Sequence, residues 1–278
     1  MNTLLVLAMV VPTAQAITDI PYREMEGVDA KFHSLDIYVP EGEGPFPVMV
    51  TIHGGGWRKG DKRGSNMREK VALYHANGFV LVSINYRLSP AVKHPAHVED
   101  VAAALAWIHD HISDYRGNPD ALFVTGHSAG AHLATLVAVD EKRLGAYEKP
   151  LSIIRGVISS DHAAFDMLAR LEAIPRTETA FRSILGNPGP VWADFSPITH
   201  LDTDKGIPPF LLFWTTRPAA PESNNLFLNA LEELGLAGEG VEVETTHAGM
   251  NQFLSKPDNP YSDRLFAFLD TILHPTTP

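Results

Sequence analysis

Leu122-Phe123-Val124-Thr125-Gly126-His127-Ser128-Ala129-Gly130 decides how this chain is read. An apolar, strand-like run (Leu122–Thr125) enters a G-x-S-x-G pattern, and a helix-like run from Ala131 to Val139 leaves it. Strand, sharp turn and helix in that order force the central serine onto an exposed, strained corner. Side chains at the two glycine positions would collide with the neighbouring strand and helix, and the turn asks for unusual backbone angles. The serine hydroxyl then stands at the C-terminal edge of a sheet, where a base can reach it.

A second motif gives the first its weight. His53-Gly54-Gly55-Gly56-Trp57 follows the apolar run Val48–Ile52. Glycines after a strand expose backbone N–H groups that can point at a developing oxyanion. Gly56 and Gly126 are about 70 residues apart, room for one strand–helix–strand–helix passage.

Working outward, strands are expected at Ser34–Val39, Phe79–Asn85, Ile153–Ile158, Phe210–Thr215 and Val241–Thr245. Helices are expected at Asn66–Asn77, Pro95–Ser113, Asn224–Leu234 and Tyr261–Leu273. Val98, Val101, Ala102, Leu105 and Ile108 give the second of these an apolar face. The proline-rich stretch from Ala163 to Thr203 is expected to be irregular and to carry a small lid. Strands separated by helices give an α/β fold, with a mostly parallel central sheet and helices on both faces. In such sheets sites form beyond the C-terminal strand ends, where both glycine motifs fall. No repeat or low-complexity linker divides residues 17–278, so one domain is the simplest count.

Composition sets bounds. The 278 residues are 45% hydrophobic and 20% charged, with a net charge of −11, ordinary for a globular chain and unlike a nucleic-acid surface. Arg58, Lys59, Lys62 and Arg63 form the one basic cluster, expected to be a solvated turn. There is no cysteine, which excludes disulfides and Cys-based zinc sites. Met1–Ala16 reads as a cleavable secretory signal, with a short apolar core at Leu4–Val11 and small residues at Ala14 and Ala16. That implies a secreted or periplasmic protein. No stretch is long enough for a membrane span.

A serine at neutral pH needs a base in hydrogen-bond reach, and the base needs an orienting acid. His247, in a small-residue loop after the last strand, is the histidine of choice among thirteen. His53 is expected to fix its loop by hydrogen bonds, His127 to shape the pocket, and His132 to pack inside its helix. The acid is harder. The loop after Phe210–Thr215, its expected place, reads Thr216-Arg217-Pro218-Ala219-Ala220-Pro221 and holds no carboxylate before Glu222. An arginine has no acceptor with which to orient a histidine N–H. The previous strand runs into Asp161, which is the first choice; Glu222, Asp166 and no acid at all stay open. No His/Asp/Glu set shows metal-ligand spacing, Asp61 stands where a phosphate loop needs lysine, and no dinucleotide fingerprint is present. No metal or cofactor is expected.

His53-Gly54-Gly55-Gly56-Trp57, Asn85-Tyr86-Arg87-Leu88-Ser89-Pro90, Glu99-Asp100, Gly126–Gly130, Ser196-Pro197-Ile198 and His247 together resemble the α/β-hydrolase superfamily. Within it they look like the small esterases of the hormone-sensitive-lipase, carboxylesterase and kynurenine-formamidase-like group. The resemblance implies Ser128 as nucleophile, His247 as base, and an oxyanion hole from the N–H of Ala129 with that of Gly54 or Gly55. It assigns Tyr86, Arg87 and Asp100 to the fold rather than the chemistry. It implies a serine hydrolase that cleaves small-molecule carboxylic esters through an acyl-enzyme and loses activity as its base protonates. The alternatives are an arylformamidase-type amide hydrolase and a binding protein on the same scaffold. Acyl and alcohol preference and oligomeric state are not readable from these residues.

Overall fold

In the computed structural model of the chain, residues 14–64, 66–257 and 259–275 are described. Most of the expected export signal, residues 1–13, therefore lies outside the described residues. The strands are β1 (Gln15–Pro21), β2 (Ser34–Val39), β3 (Phe46–Ile52), β4 (Val80–Ile84), β5 (Gly117–His127), β6 (Ile154–Ser160), β7 (Phe210–Thr215) and β8 (Gly238–Val243). The helices are α1 (Met67–Ala76), α2 (Ala96–His111), α3 (Ala129–Val139), α4 (Glu141–Gly145) and α5 (Met167–Ala173). They continue with α6 (Thr177–Leu185), α7 (Pro190–Asp194), α8 (Ala220–Glu233), α9 (His247–Phe253) and α10 (Pro260–Leu273).

The strands form one sheet in the order β1-β2-β4-β3-β5-β6-β7-β8. β1, β2 and β4 pair antiparallel, and every pair from β4 to β8 is parallel. Because side chains alternate along a strand, the sheet feeds two cores. Val48, Val50, Ile52, Leu122 and Val124 face the side covered by α2, α3 and α8. Met49, Phe123, Leu81, Leu211 and Phe213 face the side covered by α1 and α10. Strands buried on both faces are near-continuous apolar runs, which is why β3, β4 and β7 were visible in the sequence.

This order places the functional loops. From β3 the chain crosses to β4 on one side, while β5 lies on the other, so the sheet order reverses between β3 and β5. Loops leaving the C-terminal ends there diverge and open a crevice. Ile52 is in register with Gly126, which sets the glycine loop after β3 directly beside the serine turn after β5.

Several elements differ from the sequence expectations, among them β5, which starts five residues earlier, at Gly117. β1 was not foreseen; it is an exposed edge strand whose polar residues point outward. The stretch 163–203 is not irregular: three short helices, α5, α6 and α7, follow one another there, between and beside its prolines. α8 starts four residues earlier than expected, at Ala220, and β8 three residues earlier, at Gly238.

The basic cluster is a solvated turn at Arg58, Lys59 and Arg63, which are exposed, but not at Lys62. Lys62 is 2% exposed. Its ammonium reaches Asp19 at 2.6 Å and also pairs with the fully buried Asp36 on β2. Arg63 Nε donates to the same Asp36 at 2.8 Å, and Arg58 donates to Ser183 Oγ (2.9 Å) and to the Ala180 carbonyl (2.6 Å). A carboxylate buried inside a strand needs a counter-charge, and the turn supplies it. Burial pushes the Asp36 carboxyl up, but Arg63 and Lys62 outweigh it and hold it below the usual range.

Candidate active site

The serine turn is built by close backbone packing. Ser128 sits at φ +57°, ψ −119° between β5 and α3, in a region that costs a non-glycine residue strain. Gly126 and Gly130 make it possible. A Cβ on Gly126 would meet the Gly130 carbonyl carbon at 2.3 Å, and one on Gly130 would meet the Ile52 carbonyl oxygen at 2.1 Å. Ser128 N–H donates to the Ser160 carbonyl (2.9 Å), tying the turn to the end of β6.

His247 is the first residue of α9. The Thr246 hydroxyl caps that helix by accepting from Gly249 N–H at 3.0 Å. His127 Nε2–H donates to the His247 carbonyl at 2.8 Å, so the residue before Ser128 anchors the backbone of the histidine. Ser128 Oγ–H donates to His247 Nε2 at 3.0 Å, and His247 Nδ1–H donates to Asp161 Oδ2 at 2.6 Å. Asp161 accepts only, which fixes the imidazole proton on Nδ1 and leaves Nε2 free to accept.

Asp161 stands one residue past β6 at φ +50° and is fully buried. Its N–H donates to the Phe213 carbonyl (2.7 Å). Thr215 at the end of β7 donates to Oδ1 from its N–H and its hydroxyl, both at 3.1 Å. Arg217 occupies the loop where an acid was expected. Its Nε–H lies 3.1 Å from Oδ1 and 3.0 Å from Oδ2, and its Nη2–H donates to the Asp161 carbonyl at 2.9 Å. The arginine cannot orient the histidine itself, but it clamps the carboxylate that does. Burial pushes the Asp161 carboxyl up; the hydrogen bonds from His247 and Thr215 and the charge of Arg217 outweigh it and hold it well below the carboxylate range.

The other acids stand apart. Asp166 caps α5 by accepting from Leu168 N–H and Ala169 N–H, each at 3.0 Å. Glu222 is exposed in the first turn of α8, and its carboxylate makes no hydrogen bond or ion pair with another described residue.

Gly54 lies against the serine turn, where a Cβ would meet the His127 carbonyl oxygen at 2.6 Å and Ser128 Cβ at 3.5 Å. No backbone carbonyl among the described residues accepts from Gly54 N–H or Gly55 N–H. Ala129, the first residue of α3, has no carbonyl one turn earlier to bond. His53 holds this loop as expected: Nδ1–H donates to the Gly54 carbonyl (2.9 Å), and its ring stacks on Tyr86, whose hydroxyl donates to the His53 carbonyl (3.0 Å). Arg87 chelates the buried Asp100 at 2.7 and 2.8 Å, a fold-supporting pair.

A cavity of about 310 Å³ opens over Ser128, Ala129 and His247. Trp57 and Phe181 form an aromatic wall, Ala163 and Ala164 a second, and Arg170 and Arg217 reach the rim beside Asp161. Trp214 is buried on β7 away from it, donating to Glu242 at 3.1 Å. His132 is fully buried in α3 and donates to the Phe195 carbonyl at 2.8 Å; burial lowers its pKa to about 3. His127 is held neutral likewise, pushed down to about 4 by burial and then by the neighbouring His247.

Among the described residues, two groups have the spacing of cation ligands. His127, Asp161 and His247 are one, and their ligand atoms are already committed to one another or to the His247 carbonyl. Asp140, Asp194 and His200 are the other, and Arg143 sits between the two carboxylates at 2.8 and 2.5 Å.

Known proteins resemble the chain at both levels. A probable carboxylic ester hydrolase, LipM, from Mycobacterium tuberculosis is 33% identical over 181 residues, covering 61% of this chain and 40% of its own length. Esterase LipQ from the same organism is 40% identical over 132 residues, covering 45% of this chain and 30% of LipQ. The chain thus spans less than half the length of these curated relatives. A carbohydrate esterase from gut microbiota, solved in truncated form, superposes with a TM-score of 0.76 at 21% identity, covering 93% of this chain and 96% of that one. Esterase B from Lactobacillus rhamnosis gives 0.74 at 20% identity, with 93% and 86% covered. Both superpositions show a shared α/β-hydrolase fold. The BD-FAE family model matches residues 35–220, from β2 through the serine turn to the start of α8, and the chain belongs to the BD-FAE family.

Proposed function

We propose that the chain is a carboxylic-ester hydrolase acting on small-molecule esters through an acyl-enzyme on Ser128. The observation that carries this reading is the unbroken line Ser128 Oγ–His247 Nε2, His247 Nδ1–Asp161 Oδ2, at 3.0 and 2.6 Å, opening onto a cavity that Ala129 also lines, with Gly54 packed against Ser128. Ser128 Oγ attacks the acyl carbon while His247 Nε2 takes its proton. The developing oxyanion is received by the N–H of Ala129 and that of Gly54 or Gly55, each donor contributing roughly 3 kcal/mol. His247 passes the proton to the departing alcohol. Water, activated by the same nitrogen, then releases the acid. Asp161 keeps the imidazole in the accepting tautomer and stabilises the imidazolium that forms.

A cavity of about 310 Å³ suits a small ester. The names of the relatives above, an ester hydrolase and esterases, support the ester reading. We infer further that Met1–Ala16 directs export, which N-terminal sequencing of the exported protein would test. The function is tested by hydrolysis of p-nitrophenyl butyrate and of an aryl formamide, with the protein and with Ser128→Ala. Ester turnover that disappears in the variant is expected. Equal turnover by both proteins, or cleavage of the formamide alone, would overturn the reading.

A further inference from the structure

Arg170, on α5, brings to the rim of the Ser128 cavity a positive charge that no carboxylate answers. Its Nη1–H donates to the Ala163 carbonyl at 2.9 Å, while its Nε is buried and has no hydrogen-bond partner. It forms no ion pair with any described residue, and among the described residues Asp161 is the only carboxylate lining this cavity. Asp161 is fully used, by His247, Thr215 and Arg217. Arg170 also lines an adjoining hollow between α5 and α8 together with Asp166 and Glu222. Asp166 is occupied in capping α5, and neither approaches Arg170 within ion-pair distance.

Two guanidinium groups therefore border one cavity with a single carboxylate among the described residues. Burial and the nearby charge of Arg217 both disfavour the Arg170 cation, yet a guanidinium stays protonated in proteins. A half-buried cation without a counter-charge is costly, and a planar fork of donors is matched by the two oxygens of a carboxylate. Trp57, Phe181, Ala163 and Ala164 give the cavity an apolar stretch that suits the body of an acyl or aryl group, and the buried His162, whose Nε2 has no hydrogen-bond partner, also lines it.

We propose that the site takes esters carrying a second, negatively charged group, a carboxylate above all, and that Arg170 is the specificity-determining residue that receives it. The proposal rests on the ester-hydrolase reading for its kinetics but not for its binding. Two substrate pairs test it: p-nitrophenyl hydrogen adipate against its methyl ester, and 4-butyryloxybenzoate against its methyl ester. These place the charge on the acyl and alcohol sides in turn. In at least one pair the anionic member should be favoured in kcat/KM by about tenfold or more, a ratio that Arg170→Met abolishes and Arg170→Lys partly retains. The comparison is the anionic-to-neutral ratio within each variant, so a loss common to both members of a pair cancels, and a native circular-dichroism spectrum shows that the variants are folded.

Calorimetry with N-phenyladipamic acid and its methyl ester, and with 4-butyramidobenzoate and its methyl ester, gives a readout free of turnover. At least one acid should bind more tightly than its ester, and lose that advantage in Arg170→Met. Anion-dependent binding without ester turnover would uphold the proposal and refute the hydrolase reading. Ester turnover with no preference in either pair, or a preference that survives Arg170→Met, would overturn the proposal and leave the hydrolase reading intact.

Discussion

Replacing Asp161 by asparagine removes one charge and almost no volume, and the surroundings dictate how the amide must sit. Oδ1 faces three donors, the N–H and hydroxyl of Thr215 and Nε–H of Arg217, each at 3.1 Å. The backbone N–H belongs to the end of β7 and cannot turn away, so the amide oxygen takes the Oδ1 seat. The NH2 group is left in the Oδ2 seat, 3.0 Å from Arg217 Nε, whose N–H then keeps only its bond to the Oδ1 seat, while the Thr215 hydroxyl, 3.1 Å from both seats, can turn to accept. The same NH2 group lies 2.6 Å from His247 Nδ1. Two donors cannot face each other there, so His247 moves its proton to Nε2. That nitrogen lies 3.0 Å from Ser128 Oγ and can no longer accept the serine proton. The wrong tautomer costs about 10⁴-fold in kcat in the equivalent serine-protease change, or about 5.4 kcal/mol at 1.36 kcal/mol per factor of ten. Asp161→Asn is expected to lose about that much in kcat for p-nitrophenyl butyrate, with KM little changed and a native circular-dichroism spectrum. Glu222→Gln and Asp166→Asn should remain within about twofold of the parent protein. A folded Asp161→Asn variant within tenfold of the parent, or a large loss in Glu222→Gln, would refute the assignment.

The same geometry yields three further expectations. Arg217→Met should lower kcat by roughly ten- to a hundredfold through a loosened Asp161, because hydrogen bonds to charged groups contribute about 1.5–3 kcal/mol; full activity in the folded variant would show the clamp to be idle. Gly130→Ala drives a methyl into the Ile52 carbonyl at 2.1 Å, and should destabilise the fold by about 1–3 kcal/mol or more and displace Ser128, read by urea unfolding and turnover together. Burial holds His97 and His127 neutral, each pushed down to about 4, whereas in the unfolded chain a histidine takes its proton near pH 6.5. The unfolded state therefore binds more protons as pH falls from about 6.5 to about 4, and stability present above that window is lost through it. The midpoint of thermal unfolding should drop across this range, and His97→Gln should lessen the drop.

What was legible in the sequence follows the physics of each element. β3, β4 and β7 are buried on both faces, so their apolar runs announce them. β1 is an edge strand with one sparse apolar row, Ile17 and Ile20, and gives almost no signal. Ser128 and His247 were visible because a strained turn and a post-strand loop need particular small neighbours. The acid was legible only by elimination. Asp161 has no local pattern of its own, since its partners Thr215, Arg217 and His247 lie 54, 56 and 86 residues away. The misreading of Lys62 had a remedy: Asp36 lies within the buried run Leu35–Val39, and a carboxylate there demands a cation from elsewhere in the chain. Arg170 carried no such sign, because its isolation is a property of what surrounds it in space.

Intact-protein and peptide mass spectrometry after treatment with an alkyl p-nitrophenyl phosphonate tests the central claim most directly. Phosphonylation needs an activated serine hydroxyl and N–H donors for the phosphoryl oxygen, the same machinery that ester cleavage requires. The account predicts one adduct, on Ser128, formed rapidly in the parent protein, slowly in Asp161→Asn and His247→Ala, and absent in Ser128→Ala. A parent protein that stays unmodified, or that is labelled at another residue, would contradict it.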